Sequence, residues 1–249
     1  MKKIVFMGSK KIGLEILKIL QTNTKKLNYE IVAILTNKRG TEIKEFAKTH
    51  NLPLINSLDE YLKLSDVDIA ISIQYHEILK KIHIQKAKEL TINLHMAPLP
   101  EYRGCNQFTF AILDNAKVFG TTIHKLSKEI DAGEILFEKR FDIPKYCWVE
   151  DLYKLTFDAS ILLFEQHLKD IIEVSIDPIS QEKFIQQRGC SIHYRNEIEK
   201  VKQIDLNWDS QKIKRHIMAT SMNGFEPPYT IINNQKVYFQ LSSQKKGSL

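Results

Sequence analysis

Several things are missing from this sequence, and each omission removes a class of function. No apolar run approaches the roughly 20 residues that a bilayer-spanning helix needs. The opening Met1 to Gly8 is charged, then briefly apolar, and reads as a first strand and not as a signal peptide. Only three cysteines occur, Cys105, Cys147 and Cys190, with no C-x-x-C pair. That odd, scattered set argues against a disulfide frame or a zinc site and for a reducing, cytoplasmic setting. Arginine is scarce too: six of the 36 basic residues, with lysines dispersed at 2–3, 10–11, 25–26, 80–81 and 245–246. Nucleic-acid surfaces cluster their basic residues on one face, so a net charge of +6 is read here as a solvated surface with some attraction for small anions. Repeats, low-complexity stretches and H-x-x-x-H spacings are absent as well. No metal, no membrane and no nucleic acid are expected.

What is present is an alternation of strand and helix signals. Residues 3–7, 30–36, 67–73 and 91–96 are short apolar runs suited to buried strands. Between them, Ile12 to Leu20 and Thr41 to Lys48 have helical spacing, and Ser57-Leu-Asp-Glu60 reads as a capped helix start. Short helices are also expected at 84–89 and 104–115. This order predicts an α/β fold, with a Rossmann-like, mostly parallel sheet flanked by helices. Two further strands follow at 120–126 and 134–143, then a long amphipathic helix over 148–174. Asp177-Pro178 closes a catalytic domain of residues 1–178. Residues 179–203 are read as a polar linker, and 204–249 as a small appendage. That appendage comprises a helix over 204–221 and a hairpin over 230–241 turning at Asn233-Asn234. So few residues need the main domain or a second subunit for stability.

The stretch from Thr91 to Gly104 concentrates the candidate chemistry. Side chains alternate along a strand, so Asn93 and His95 share one face. Pro98 and Pro100 then force the chain out of the sheet. In parallel sheets ligands bind beyond the carboxyl ends of the strands, which puts an amide and an imidazole at the usual place for chemistry. Downstream, Ile130-Asp131-Ala132-Gly133 supplies an acidic residue on a turn. The other histidines lack such company: His50, His83, His167, His193 and His216 are read as structural, and His124 as a satisfied sheet residue. His76 lies in a loop after a buried strand. Gly8-Ser9-Lys10-Lys11-Ile12-Gly13 opens the first helix, but its spacing matches neither G-x-G-x-x-G nor a Walker A loop. Ser9 and the helix N-terminus suit an anionic ligand, and an ordinary strand-to-helix turn explains them equally well.

Taken together, Asn93-Leu-His95, Pro98-Leu-Pro-x-Tyr102-Arg103-Gly104, Phe119-Gly-Thr-Thr-Ile-His124 and Ile130-Asp131-Ala-Gly133 resemble the formyltransferases that use N10-formyltetrahydrofolate. The resemblance covers most of residues 1–175. It implies a catalytic triad of Asn93, His95 and Asp131, with N10-formyltetrahydrofolate as co-substrate. It also implies a folate slot bordered by Tyr75, His76, Glu77 and Ile78, with Phe110 and Ile130 nearby. Among the family's branches the sequence is most similar to sugar-nucleotide N-formyltransferases. The tRNA enzymes carry a C-terminal β-barrel, and an OB-type barrel needs about five strands where this tail offers a hairpin. The purine enzymes would leave residues 190–249 unexplained. The expected acceptor is therefore a dTDP-linked amino-dideoxy sugar destined for a surface polysaccharide, met by Ser9, Lys10, Tyr102, Arg103 and Tyr229. For Arg103, a structural pairing inside its own loop is an equal alternative, and Phe225 competes with Tyr229 for the base. The appendage resembles a dimerisation module, which implies a homodimer. A methionyl-tRNA formyltransferase with a reduced tail, and a non-catalytic folate or nucleotide-sugar binder, are the competing readings.

Overall fold

In the computed structural model, which describes residues 1–240, the first half of the chain builds a parallel sheet strand by strand. The strands are β1 (Lys2–Gly8), β2 (Tyr29–Leu35), β3 (Leu54–Ile55), β4 (Ile69–Ile73) and β5 (Leu90–His95). The intervening helices are α1 (Lys10–Leu27), α2 (Thr41–Thr49), α3 (Leu58–Lys63) and α4 (Lys81–Ile84). The short strand β6 (Arg103–Gly104) and helix α5 (Gln107–Leu113) precede β7 (Val118–Lys125) and β8 (Ile135–Asp142), and the long helix α6 (Val149–Glu173) follows. Seven strands form one sheet in the order β3-β2-β1-β4-β5-β7-β8. Pairing is parallel from β3 across to β5, and β7 joins β5 antiparallel.

The central strands are apolar without interruption because both of their faces are covered. Ile4, Val5, Phe6 and Met7 of β1 and Ile69, Ile71 and Ile73 of β4 are fully buried. Helix α1 buries Ile12, Leu14, Ile16, Leu17 and Leu20 along one stripe, as their spacing predicts. It ends at Asn28, whose left-handed φ of 53° makes it a stop signal. Ser57 caps α3 by accepting a hydrogen bond from the Glu60 amide.

Contacts divide the chain into two compact units, each built from three separate segments. The first comprises Met1–Arg103, Gly120–Arg140 and Thr156–Ser191; the second comprises Gly104–Phe119, Phe141–Leu155 and the stretch from Ile192 onward. In the second unit lie β9 (Ile192–His193), α8 (Glu197–Lys202), α9 (Ser210–Thr220) and the hairpin β10 (Tyr229–Ile232) with β11 (Gln235–Tyr238). Thr109 on α5 donates to the Ala219 carbonyl at the end of α9, and Met218 and Ala219 are buried there. The hairpin turns on Asn233 and Asn234, with φ of 49° and 61°, the paired positive values of a type I′ turn.

Three stretches depart from sequence expectation, the first being the short helix expected at 84–89, which lies earlier, at Lys81–Ile84. Residues 179–203 are not featureless: α7 (Glu182–Arg188), β9 and α8 lie in them. The single helix expected over 204–221 begins only at Ser210. Asp205 and Asp209 are the cause: Asp205 Oδ1 accepts from the Asn207 amide in a tight turn, and Asp209 caps α9 through the Gln211 and Lys212 amides. The hairpin reading extended to Leu241 and the appendage to Leu249; residues 241–249 lie outside the described part of the chain. Among the described residues no helix is long and apolar enough to cross a membrane.

Candidate active site

Strand β5 ends at the point where the sheet changes from parallel to antiparallel pairing. Asn93 sits beside Ser72 of β4 on one flank and His124 of β7 on the other, and His95 is opposite Thr122. Directly opposed residues in a sheet share a face, so Asn93, His95, Thr122 and His124 project to the same side. Beyond His95 the chain is pinned by β7: Thr121 donates to the His95 carbonyl and Thr122 to the Ala97 carbonyl, at 3.0 and 2.8 Å. The Thr122 hydroxyl also accepts from the Leu99 amide. The Leu99–Pro100 peptide is cis, and the loop curls so that the Tyr102 amide donates to the Pro98 carbonyl.

That loop settles the state of His95. Its Nε2 lies 2.7 Å from the Tyr102 carbonyl oxygen, which can only accept, so Nε2 bears a hydrogen. Nδ1 is then the nitrogen left for chemistry, and it lies 3.5 Å from Asp131 Oδ2. His124 repeats the arrangement in mirror fashion. Its Nδ1 donates to the Lys125 carbonyl at 2.8 Å, while Nε2 faces Asp131 Oδ1 at 3.4 Å and Asn93 Nδ2 at 3.2 Å. Both imidazoles are buried and the Asp131 side chain is 14% exposed. Two imidazoles thus converge on one carboxylate, and the Asn93 amide meets one of them. The 3.4–3.5 Å separations exceed direct hydrogen-bond length, and each becomes an ion pair only when its imidazole is protonated. Their strength depends on burial.

Asp131 reaches this position from a turn with φ of 49°, a left-handed conformation that Asp tolerates better than most residues. Two residues on, Gly133 passes so close to the Lys125 carbonyl that a Cβ would overlap it. Gln181, 3% exposed, holds the same turn: its Nε2 donates to the Asp131 and Gly133 carbonyls at 2.8 and 2.7 Å. Its Oε1 accepts from Nε and Nη2 of Arg103 at 3.0 and 2.7 Å.

The other sequence candidates are distributed as follows. Tyr75 donates to Glu77 at 3.0 Å, and the edge of its ring meets the His76 imidazole. Burial, with the Glu77 carboxylate adding to it, pushes the Tyr75 phenol well above its ordinary value. Ile78 is 77% exposed and Ile130 41%, unusual for isoleucine. The Ser9 hydroxyl donates to the Gln74 carbonyl and accepts no capping hydrogen bond from the start of α1, and Lys10 Nζ donates to Gln74 Oε1 at 3.1 Å. Tyr102 is buried and contributes its carbonyl to His95. Phe110 and Tyr229 belong to the second unit. Phe110 stacks on His193 at 3.6 Å, and Tyr229 is buried beneath Lys236, whose Nζ lies 4.0 Å from the ring. Among the described residues no group of three or more His, Cys, Asp or Glu side chains could hold a metal ion.

His124 and Gln181 were not among the sequence candidates. For His124 the signal was present but incomplete: alternation puts it on one face with Thr122, yet only the β5–β7 register sets that face against Asn93. Gln181 is fifty residues from Asp131, in a stretch whose polarity reads as linker, and nothing local marks it.

Comparison with known proteins places this geometry in a family. The family described as "Formyl transferase" matches residues 2–165. A curated relative, the bifunctional polymyxin resistance protein ArnA of Wigglesworthia glossinidia brevipalpis, is 28% identical over 169 residues. That alignment takes in 62% of this chain and only 26% of the relative, so this chain spans about a quarter of its length. The methionyl-tRNA formyltransferase of Bacillus cytotoxicus is 24% identical, covering 95% of this chain and 77% of the relative. Among solved structures, a sugar N-formyltransferase from Shewanella sp FDAARGOS_354 superposes with a TM-score of 0.81 at 18% identity, covering 99% of this chain and 100% of that one. WlaRD, a sugar 3N-formyl transferase crystallised with dTDP and 5-N-formyl-THF, gives 0.77 at 26% identity over 95% of this chain and 85% of its own. A match that takes in more than half of the chain, and runs through β5, β7 and the Asp131 turn, makes this protein a member of the formyl transferase family and its activity that of a formyltransferase.

Proposed function

We propose that this enzyme moves the formyl group of N10-formyltetrahydrofolate to the amino group of a dTDP-linked amino-dideoxy sugar. The observation that carries the acceptor is the fit of the whole chain, second unit included, to sugar N-formyltransferases: 99% of this chain and all of the Shewanella enzyme superpose. Against the Bacillus methionyl-tRNA formyltransferase, almost a quarter of the relative finds no counterpart.

The residues suit the reaction. The acceptor amine attacks the formyl carbon, a C–N bond forms, and negative charge collects on the former formyl oxygen. Collapse breaks the bond to the folate nitrogen, which gains a proton as the acceptor nitrogen loses one. Asn93 Nδ2 is an N–H donor held on the site face by His124, suited to the developing oxyanion; one such donor is worth roughly 100- to 1,000-fold in kcat. His95 works through Nδ1, because Nε2 is bound to Tyr102, and an imidazole nitrogen can take a proton and return it within one turnover. Asp131 stabilises the imidazolium that forms when Nδ1 takes a proton. The folate supplies the activated formyl group. The exposed apolar Ile78 and Ile130, together with Tyr75, His76 and Glu77, give its flat ring system a surface in the first unit. Ser9 and Lys10 are assigned to the nucleotide diphosphate. Arg103 is assigned to the loop, since two of its nitrogens are bound to Gln181. A homodimer built through the hairpin region completes the reading.

The test incubates purified protein with N10-formyltetrahydrofolate and a panel of dTDP-3-amino and dTDP-4-amino sugars. Mass spectrometry should report one formyl mass gain on one sugar, and His95→Asn should abolish it. A panel that stays unmodified would overturn the acceptor assignment. One observation favours a second reading: the Bacillus methionyl-tRNA formyltransferase aligns over 95% of this chain. Formylation of methionyl-tRNA, with binding that falls steeply as salt rises, would establish it.

A further inference from the structure

Gln181 is the most fully used polar side chain near the site, and no step above employs it. It is 3% exposed, and its amide engages four groups at once. Oε1 takes two N–H bonds from Arg103, and Nε2 gives two, to the carbonyls of Asp131 and Gly133. Those partners fix which end of the amide is which: a guanidinium only donates and a carbonyl only accepts. Arg103 lies next to Tyr102, whose carbonyl orients His95. The loop that ends β5 therefore sets the imidazole through Tyr102 and the carboxylate through Arg103 and Gln181. The backbone of Asp131 is held in a left-handed conformation that needs outside support to persist.

We propose that Gln181 is a positioning residue for formyl transfer: it clamps the Asp131 turn to the Pro98–Gly104 loop, so that Asp131 and His95 keep one fixed relation. This rests on the reading of Asp131 as the carboxylate that assists His95. At 3% exposure Gln181 has almost no surface to offer substrate or formyl donor; it acts through Asp131. A displacement of about 1 Å in a reacting group costs on the order of 100-fold in rate, which is the scale expected when the clamp is removed.

The experiment compares wild type, Gln181→Met, Gln181→Asn and Asp131→Asn in the intact chain. Methionine keeps the volume and loses every polar contact; asparagine keeps the amide but is one methylene too short to reach both sides. Each variant's thermal unfolding is recorded, so that loss of fold is separated from loss of position. The first readout needs no substrate: NMR titration of the His95 and His124 imidazoles. In Asp131→Asn both should titrate lower than in wild type, because the neighbouring negative charge is gone. In Gln181→Met, or in Gln181→Asn should the first not fold, they should move in the same direction. The second readout is formyl transfer to the dTDP-amino sugar panel, where kcat should fall about 100-fold with KM for N10-formyltetrahydrofolate little changed. Folded Gln181 variants with wild-type imidazole titration and kcat would overturn the proposal and leave the Asp131 reading standing. An Asp131→Asn protein with wild-type titration and full activity would remove that reading, and the clamp's purpose with it.

Discussion

The nitrogen that each imidazole turns toward Asp131 is decided by a carbonyl on its far side. For His95 the carbonyl is Tyr102, for His124 it is Lys125, and in both the committed nitrogen is a donor. Neutral His124 must therefore accept at Nε2, and the Asn93 amide meets that need. A ring without nitrogens at 124 releases this amide and takes from the part-buried Lys125 carbonyl the donor that Nδ1 supplies. His124→Phe, which keeps a ring of similar size, should lower stability by about 1–3 kcal/mol, the cost of an unsatisfied buried polar group. Formyl transfer should fall by roughly tenfold or more as Asn93 loses its fixed orientation. Urea unfolding measures the first effect and single-turnover kinetics the second. His124→Phe with wild-type kcat would show that Asn93 is held by its neighbours without the imidazole.

At the scale of elements, much of the first unit was legible because its signals are local. Alternation gave the shared face of Asn93 and His95, apolar runs gave β1 and β4, and Ser57 with Glu60 gave the start of α3. Legibility ended where pairing is remote. The register that sets His124 against Asn93 links positions 31 apart, and the amide that holds Asp131 comes from α7's threshold in a stretch whose polarity conceals its three short elements. Helix α9 adds a pH response of its own. His216 on α9 packs against Trp208, its Nδ1 donates to the Val201 carbonyl, and burial holds its pKa below the ordinary histidine value. The unfolded chain therefore binds a proton more readily than the folded one. The sign follows: stability from this group is complete above the unfolded value of about 6.5 and is lost as pH falls from there toward the lower folded value. Glu197 and Glu226 are also depressed, but their losses begin only below the ordinary glutamate value. Melting temperature should thus begin to drop just below pH 6.5. In His216→Asn, which keeps a donor at the Nδ1 position, that first decline should shrink. An unchanged pH profile in the variant would refute the assignment.

At the scale of the whole molecule, the sequence reading placed a boundary at residue 178, whereas contacts group residues by interleaved segments. Linear polarity marks where the chain leaves one element; it does not record that residues 104–119 and 141–155 return to pack with the tail. The tail's hairpin makes a sharper claim. A lone two-stranded hairpin is marginal in water. Among the described residues β10 and β11 form a two-stranded sheet whose one outside bridge joins Gln203 to Tyr229, and Ile231, Ile232, Val237 and Tyr238 stand 43–47% exposed on it. Ile231 and Tyr238 lie on one face of the hairpin and Ile232 and Val237 on the other. Leaving them in water on so small an element is costly, and a second copy packed on either face would cover two of them in a self-complementary contact. Light scattering after gel filtration should therefore give the dimer mass at micromolar concentrations, and the melting temperature should rise with protein concentration. Ile231→Lys with Val237→Lys places like charges on both partners of such a contact. That variant should run as a monomer with the first unit still folded. A wild-type chain that stays monomeric, with a melting temperature independent of concentration, would remove the dimer from the proposed function without touching the chemistry at Asn93, His95 and Asp131.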